Sequence, residues 1–83
     1  MILCSIYDSV AKEYSNPYVV KNLEVAKRDF GFQMKKNVIE DFVGDYKLVI
    51  VGYYNPETGE ITPSIEDVMS GSDVVFVEED KEV

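Results

Sequence analysis

Ile2, Cys4 and Ile6 alternate with Leu3, Ser5 and Tyr7 at the start of the chain. This period of two predicts a strand over residues 2–8. Asp8 and Ser9 supply short side chains that bond their own backbone and end it. Residues 10–16 read as a loop or a single helical turn. Asn16 must be extended, because the ring of Pro17 clashes with a helical predecessor. Tyr18, Val19 and Val20 then predict a second strand, and Pro17, lacking a donor, suits the first position of an edge. Beyond Asn22, an N-cap residue, the apolar positions switch to helical spacing at Leu23, Ala26, Phe30 and Met34. The helix is expected over about residues 22–34, with ends uncertain by ~2–4 residues. Gly31 either stops it in a left-handed cap or is carried within a helix running to Lys36, at about 1 kcal/mol.

Residues 37–44 leave room for a short second helical turn through Val38, Ile39, Phe42 and Val43. Asp45 to Tyr54 is rich in Tyr, Val and Ile and nearly unbroken in apolarity, which predicts a central strand. Asn55 to Gly59 reads as a turn closed by the positive φ of Gly59. Glu60, Ile61 and Thr62 return as a short strand that Pro63 is expected to end. Ser64 is expected to start a helical turn carrying Ile65, Val68 and Met69. Val74 to Val77 has the propensity for an extra C-terminal strand. The expected fold is therefore α+β, with a small antiparallel sheet in the order strand, strand, helix, strand, strand packed on one helix. Residues 1–77 form its single domain, and residues 78–83 are an acidic tail.

Composition narrows the function. Eighty-three residues with 46% hydrophobic side chains make one thin core, burying about 60–65% of the unfolded surface. Six Tyr and four Phe are many for this length; aromatics bury large area and help a small core, and they also offer stacking faces for unpaired bases. The chain has no His and one Cys. That removes the usual general base, the commonest metal ligand and any internal disulfide. Cys4 reads as a small buried hydrophobe. The glycines are scattered, and none opens a phosphate-binding Gly-Lys-Ser/Thr loop. The adjacent pairs Glu40–Asp41 and Glu66–Asp67 do not face each other on a helix. No catalytic site, metal or cofactor is expected, and the chain is not read as an enzyme. Neither a secretory signal nor an apolar run long enough to span a bilayer is visible.

Charge divides the chain. The net charge of −8 opposes sequence-independent phosphate binding. Residues 73–83 hold Asp73, Glu78, Glu79, Asp80 and Glu82 against Lys81, whereas residues 21–36 hold Lys21, Lys27, Arg28, Lys35 and Lys36 against Glu24 and Asp29. A basic helix beside an acidic tail suits a tail that competes with DNA; a solvated helix face and a polar tail are the ordinary alternative. The candidate nucleic-acid contacts are Lys12, Tyr14, Tyr18, Lys21, Lys27, Arg28, Lys35 and Lys36, with tyrosines stacking on bases and cations holding phosphates.

One ordered set of residues adds a resemblance. Tyr7, Asp8, Ser9 and Ala11 are followed by Tyr14, Pro17 and Tyr18, then by Ala26, Arg28 and Phe30. Asp45, Tyr46 and Leu48 lead on to Gly52, Tyr53, Thr58 and Gly59. Over residues 3–62 this set resembles the small nonstructural protein of gokushovirus-type microviruses, phages with single-stranded DNA genomes. The resemblance implies a non-virion accessory of phage DNA replication in the host bacterial cytoplasm, acting on single-stranded DNA or on the control of its synthesis. The alternative is an acidic adaptor that engages a replication initiator or a host factor through its sheet edge or tail. A weaker third reading is an acidic mimic of nucleic acid. Few strands and many Tyr and Val favour a homodimer formed across exposed strand edges.

Overall fold

A computed structural model describes residues 1–76. Its elements are β1 (Ile2–Asp8), β2 (Glu13–Tyr14), β3 (Tyr18–Val20), α1 (Leu23–Asn37), β4 (Tyr46–Tyr54) and β5 (Ile61–Ser70). Single 3₁₀ segments cover Glu40–Asp45 and Gly71–Asp73. The five strands form one antiparallel sheet, ordered β2-β1-β4-β5, with β3 also paired to β1. The expected α+β architecture is thus the observed one.

Local chemistry sets the turns. The Asp8 carboxylate accepts from the Val10 and Ala11 amides at 3.0 and 3.2 Å, and Lys12 N–H donates to the Asp8 carbonyl at 2.7 Å. The chain then reverses through Lys12 at φ 60°, a left-handed conformation that costs a non-glycine residue about 1–2 kcal/mol. The loop expected over residues 10–16 is therefore a hairpin that returns as β2. At the far end of the sheet, Gly59 has φ 80° and its amide donates to the Asn55 carbonyl, closing the β4–β5 turn.

Helix α1 starts where its cap predicts, with Asn22 Oδ1 accepting from the Val25 amide at 2.9 Å. It passes through Gly31 and ends at Asn37. Ala26, Phe30 and Met34 are buried along one stripe, against Cys4, Leu48 and Ile50 from the sheet. β4 lies between β1 and β5, and Leu48, Val49 and Ile50 are all buried. Ser5 is the buried polar side chain of the sheet; its hydroxyl donates to the Ser15 carbonyl at 2.7 Å.

Two expectations fail around Pro63. The strand does not end there, and residues 64–69 are not a helical turn; both belong to β5, ten residues long. β4 presents nine residues of ladder, and β5 pairs with it at both ends, from Ile61 to Ser70. Irregularities between Leu48 and Val49, and between Ile50 and Gly52, absorb the mismatch, so apolar spacing that resembled a helix falls on a bulged strand. Val74 to Phe76 do not form the extra strand; Val74 and Phe76 pack half-buried on the core instead. Val77 and the acidic tail at 78–83 lie outside the described residues. The helical turn expected within residues 37–44 is the 3₁₀ segment Glu40–Asp45.

Candidate nucleic-acid interface

Helix periodicity separates Phe32 from Phe30. Two residues apart on a helix point about 200° apart, so the burial of Phe30 turns Phe32 outward, where its side chain is 65% exposed. Arg28 stands one turn before Phe32, and Lys35 and Lys36 one turn after, at the spacings that make helical neighbours. All three cations are exposed. The outer surface of α1 is thus an aromatic ring between cationic groups.

Two hollows flank that ring. One, of about 460 Å³, is lined by Phe32, Tyr18, Lys36 and Asp29 over Ile6, with Gln33 and Asn37 at its border. The other, of about 340 Å³, places Lys27, Arg28 and Lys35 opposite Met69, Val74 and Val75, again with Phe32 in its wall. A third, of about 370 Å³, shares Ile6, Gln33 and Asn37 with the first and ends at Tyr14, Asp8 and Glu13. Phe32 is the wall shared between the basic side and the hollow that holds Tyr18.

The predicted residues therefore divide. Lys27, Arg28, Lys35, Lys36 and Tyr18 come together around Phe32. Tyr18 is half-buried on the core, and burial, helped by the neighbouring Cys4 and Asp29, pushes its phenol above the usual range. It stays neutral at ordinary pH. Tyr14 lies at the far, acidic end, 50% exposed, its ring 4.6 Å from that of Tyr7. Lys47 sits 5.5 Å above the Tyr7 ring and pairs with Asp67 at 3.0 Å. Lys12 is spent on the β1–β2 turn, away from the helix, and Lys21 precedes the N-cap at an exposed position that lines none of these hollows.

The cations are only loosely compensated. Lys27 reaches Glu24 at 3.6 Å and Arg28 reaches Asp29 at 3.6 Å, exposed pairs of the kind that contribute little. Among the described residues Lys35 and Lys36 make no ion pair. Their place in the last turn of α1 also suits the negative end of the helix dipole.

The sequence from Met1 through the second 3₁₀ segment matches, over residues 1–74, the family described as phage ORF5 protein. The chain belongs to the phage ORF5 protein family. No curated protein and no solved structure matches it. The matched stretch includes all of this surface except Val75. Phe32, Gln33 and Asn37 were not among the residues predicted to form it. Phe32 was legible: a phenylalanine two positions from a core phenylalanine on one helix has no route to the same core. The two amides carry no such signal, since Asn37 Nδ2 simply donates to Gln33 Oε1 at 2.9 Å.

Among the described residues no cluster of acidic or cysteine side chains could hold a metal ion. No described helix is long and apolar enough to cross a membrane.

Proposed function

We propose that this phage protein is a non-virion accessory of DNA replication, of the gokushovirus type, that binds single-stranded DNA in the host cytoplasm along the outer face of α1. The observation that carries the reading is Phe32, an exposed ring with Arg28, Lys35 and Lys36 at helical-neighbour spacing and Lys27 in the adjoining hollow. An aromatic platform with flanking cations is what an unpaired strand requires, because bases stack without regard to sequence and phosphates neutralise the cations. Duplex DNA offers no free base face to Phe32, so the preference is for single strands. The protein acts by binding rather than by catalysis. The ordered residue set shared with the microvirus nonstructural proteins supports the setting.

Fluorescence anisotropy of a labelled oligonucleotide tests this. Phe32→Ala should lose about 1–3 kcal/mol of binding. Three or four phosphate contacts predict a log–log salt slope of roughly −2 to −3 for a single strand. Absence of binding at low salt removes the reading.

A second reading has its own observation. Ile39 and Phe42 are 66% and 55% exposed and flank the exposed acids Glu40 and Asp41. With the net charge of −8, this knuckle suits an adaptor that presents an acidic, apolar surface to a basic replication protein or host factor. Ile39→Ser with Phe42→Ser would then abolish the phage function while leaving oligonucleotide binding intact.

A further inference from the structure

The hollow on the basic side of α1 is built from two parts of the chain. One wall is the helix, with Lys27, Arg28 and Lys35 around Gly31; the other is the segment leaving the sheet, with Val74 and Val75. The last described residue, Phe76, packs on the core immediately beyond that wall. The seven residues that follow hold Glu78, Glu79, Asp80 and Glu82 against Lys81. Their chain leaves the described structure beside a surface of opposite charge.

Asp73, the acid already at the hollow, is occupied elsewhere: its carboxylate accepts from the Ser70 amide at 3.0 Å in a capping box. Glu24 and Asp29 approach Lys27 and Arg28 no closer than 3.6 Å. Gly31 has nothing within 4 Å of where a methyl group would stand, so the floor between the cations is open to a second backbone.

We propose that residues 77–83 dock along this hollow and set their carboxylates against Lys27, Arg28 and Lys35. The lengths agree. Lys27 and Lys35 are about 12 Å apart along the helix axis, and seven extended residues reach roughly 23–25 Å. The first carboxylate comes two residues after Phe76. Docking there covers the basic side of Phe32. It thereby regulates the DNA surface, a consequence that rests on the function proposed above, whereas the docking itself does not need DNA. Single-stranded DNA and the tail compete for the same cations, and the outcome depends on salt and on DNA concentration.

The experiment uses the full chain and a full-length variant with Glu78→Gln, Glu79→Gln, Asp80→Asn and Glu82→Gln. Amide ¹H–¹⁵N spectra are recorded without DNA at low salt and at about 1 M salt, where screening acts within ~3 Å. Docking predicts that the substitutions shift the amides of residues 27–35 and 74–76, and that high salt moves the unaltered chain toward the variant. It also predicts that the variant binds a labelled single-stranded oligonucleotide severalfold more tightly at low salt, with the advantage lost at high salt. Amides of residues 27–35 that do not move overturn the docking, whatever the DNA result. Amides that move while neither protein binds the oligonucleotide uphold the docking and overturn the DNA reading instead.

Discussion

Gly71 sits directly against the carbonyl of Val43, so close that a methyl group on Gly71 would overlap both the carbon and the oxygen. Through this contact the turn after β5 locks onto the turn before β4. Both partners are backbone, and neither can rotate away. Gly71→Ala should therefore cost about 3 kcal/mol or more, at the upper end of what overpacking does. Urea denaturation of the variant gives the number directly.

Helix α1 offers the opposite case. Gly31 lies inside the helix with open space around it, so Gly31→Ala should stabilise the fold by about 0.5–1 kcal/mol through helix propensity alone. Its neighbour Phe30 is fully buried, and Phe30→Ala should cost about 3–5 kcal/mol. Thermal melts of the two variants should move in opposite directions.

Tyr53 donates its hydroxyl to Glu66 at 3.0 Å, and Ser64 donates to the same carboxylate oxygen at 2.6 Å. The hydrogen bonds, from Ser64 first and Tyr53 second, hold the Glu66 carboxyl below its ordinary value of 4.5, while the bond to Glu66 raises the Tyr53 phenol. A carboxyl depressed in the folded state adds stability above its unfolded pKa, and that stability disappears as pH falls through the folded value. Tyr53→Phe should bring the Glu66 titration, followed by carbonyl-carbon NMR, partway back toward 4.5. An unmoved titration would show that the bond is not formed in solution.

β5 pairs with β4 and leaves its other edge open among the described residues. Glu66 and Asp67, the acids that would repel a second edge, are drawn onto their own sheet by Tyr53, Ser64 and Lys47. Ile65 is 64% exposed between Ser64 and Glu66. We expect a homodimer paired through this edge beyond Pro63. Sedimentation at micromolar concentration should show a dimer for the unaltered chain and a monomer for Ile65→Lys, since edge lysines discourage pairing.

Where one chemical cue governed one element, the sequence was readable. Asn22 fixed the start of α1, the stripe Leu23, Ala26, Phe30, Met34 fixed its buried face, and the β-branched run at 49–51 fixed the central strand. Pro63 misled because its missing donor is harmless wherever the ladder does not need it, and only the partner strand decides that. β2 was invisible because two residues carry no period; Asp8 makes the hairpin by bonding forward to Val10 and Ala11. At the candidate site the cations on α1 were evident from charge. Tyr14 was grouped with them as a stacking ring, and the β1–β2 hairpin carries it away to the Tyr7 ring.

The placement of β1 has a consequence for how the chain is made. β1 is synthesised well before its long partner β4, with Cys4 opposite Ile50 and Ile6 opposite Leu48. Until residue 54 has left the ribosome, β1 has only the short β2 and β3 beside it and half its ladder stays open. β4 and β5, by contrast, meet across a tight turn and can zip as soon as both exist. Such non-local closure is slow compared with hairpin formation, and it comes last. The interval exposes the residue 2–7 strand to other nascent copies, and slower elongation between β1 and β4 would lengthen that exposure.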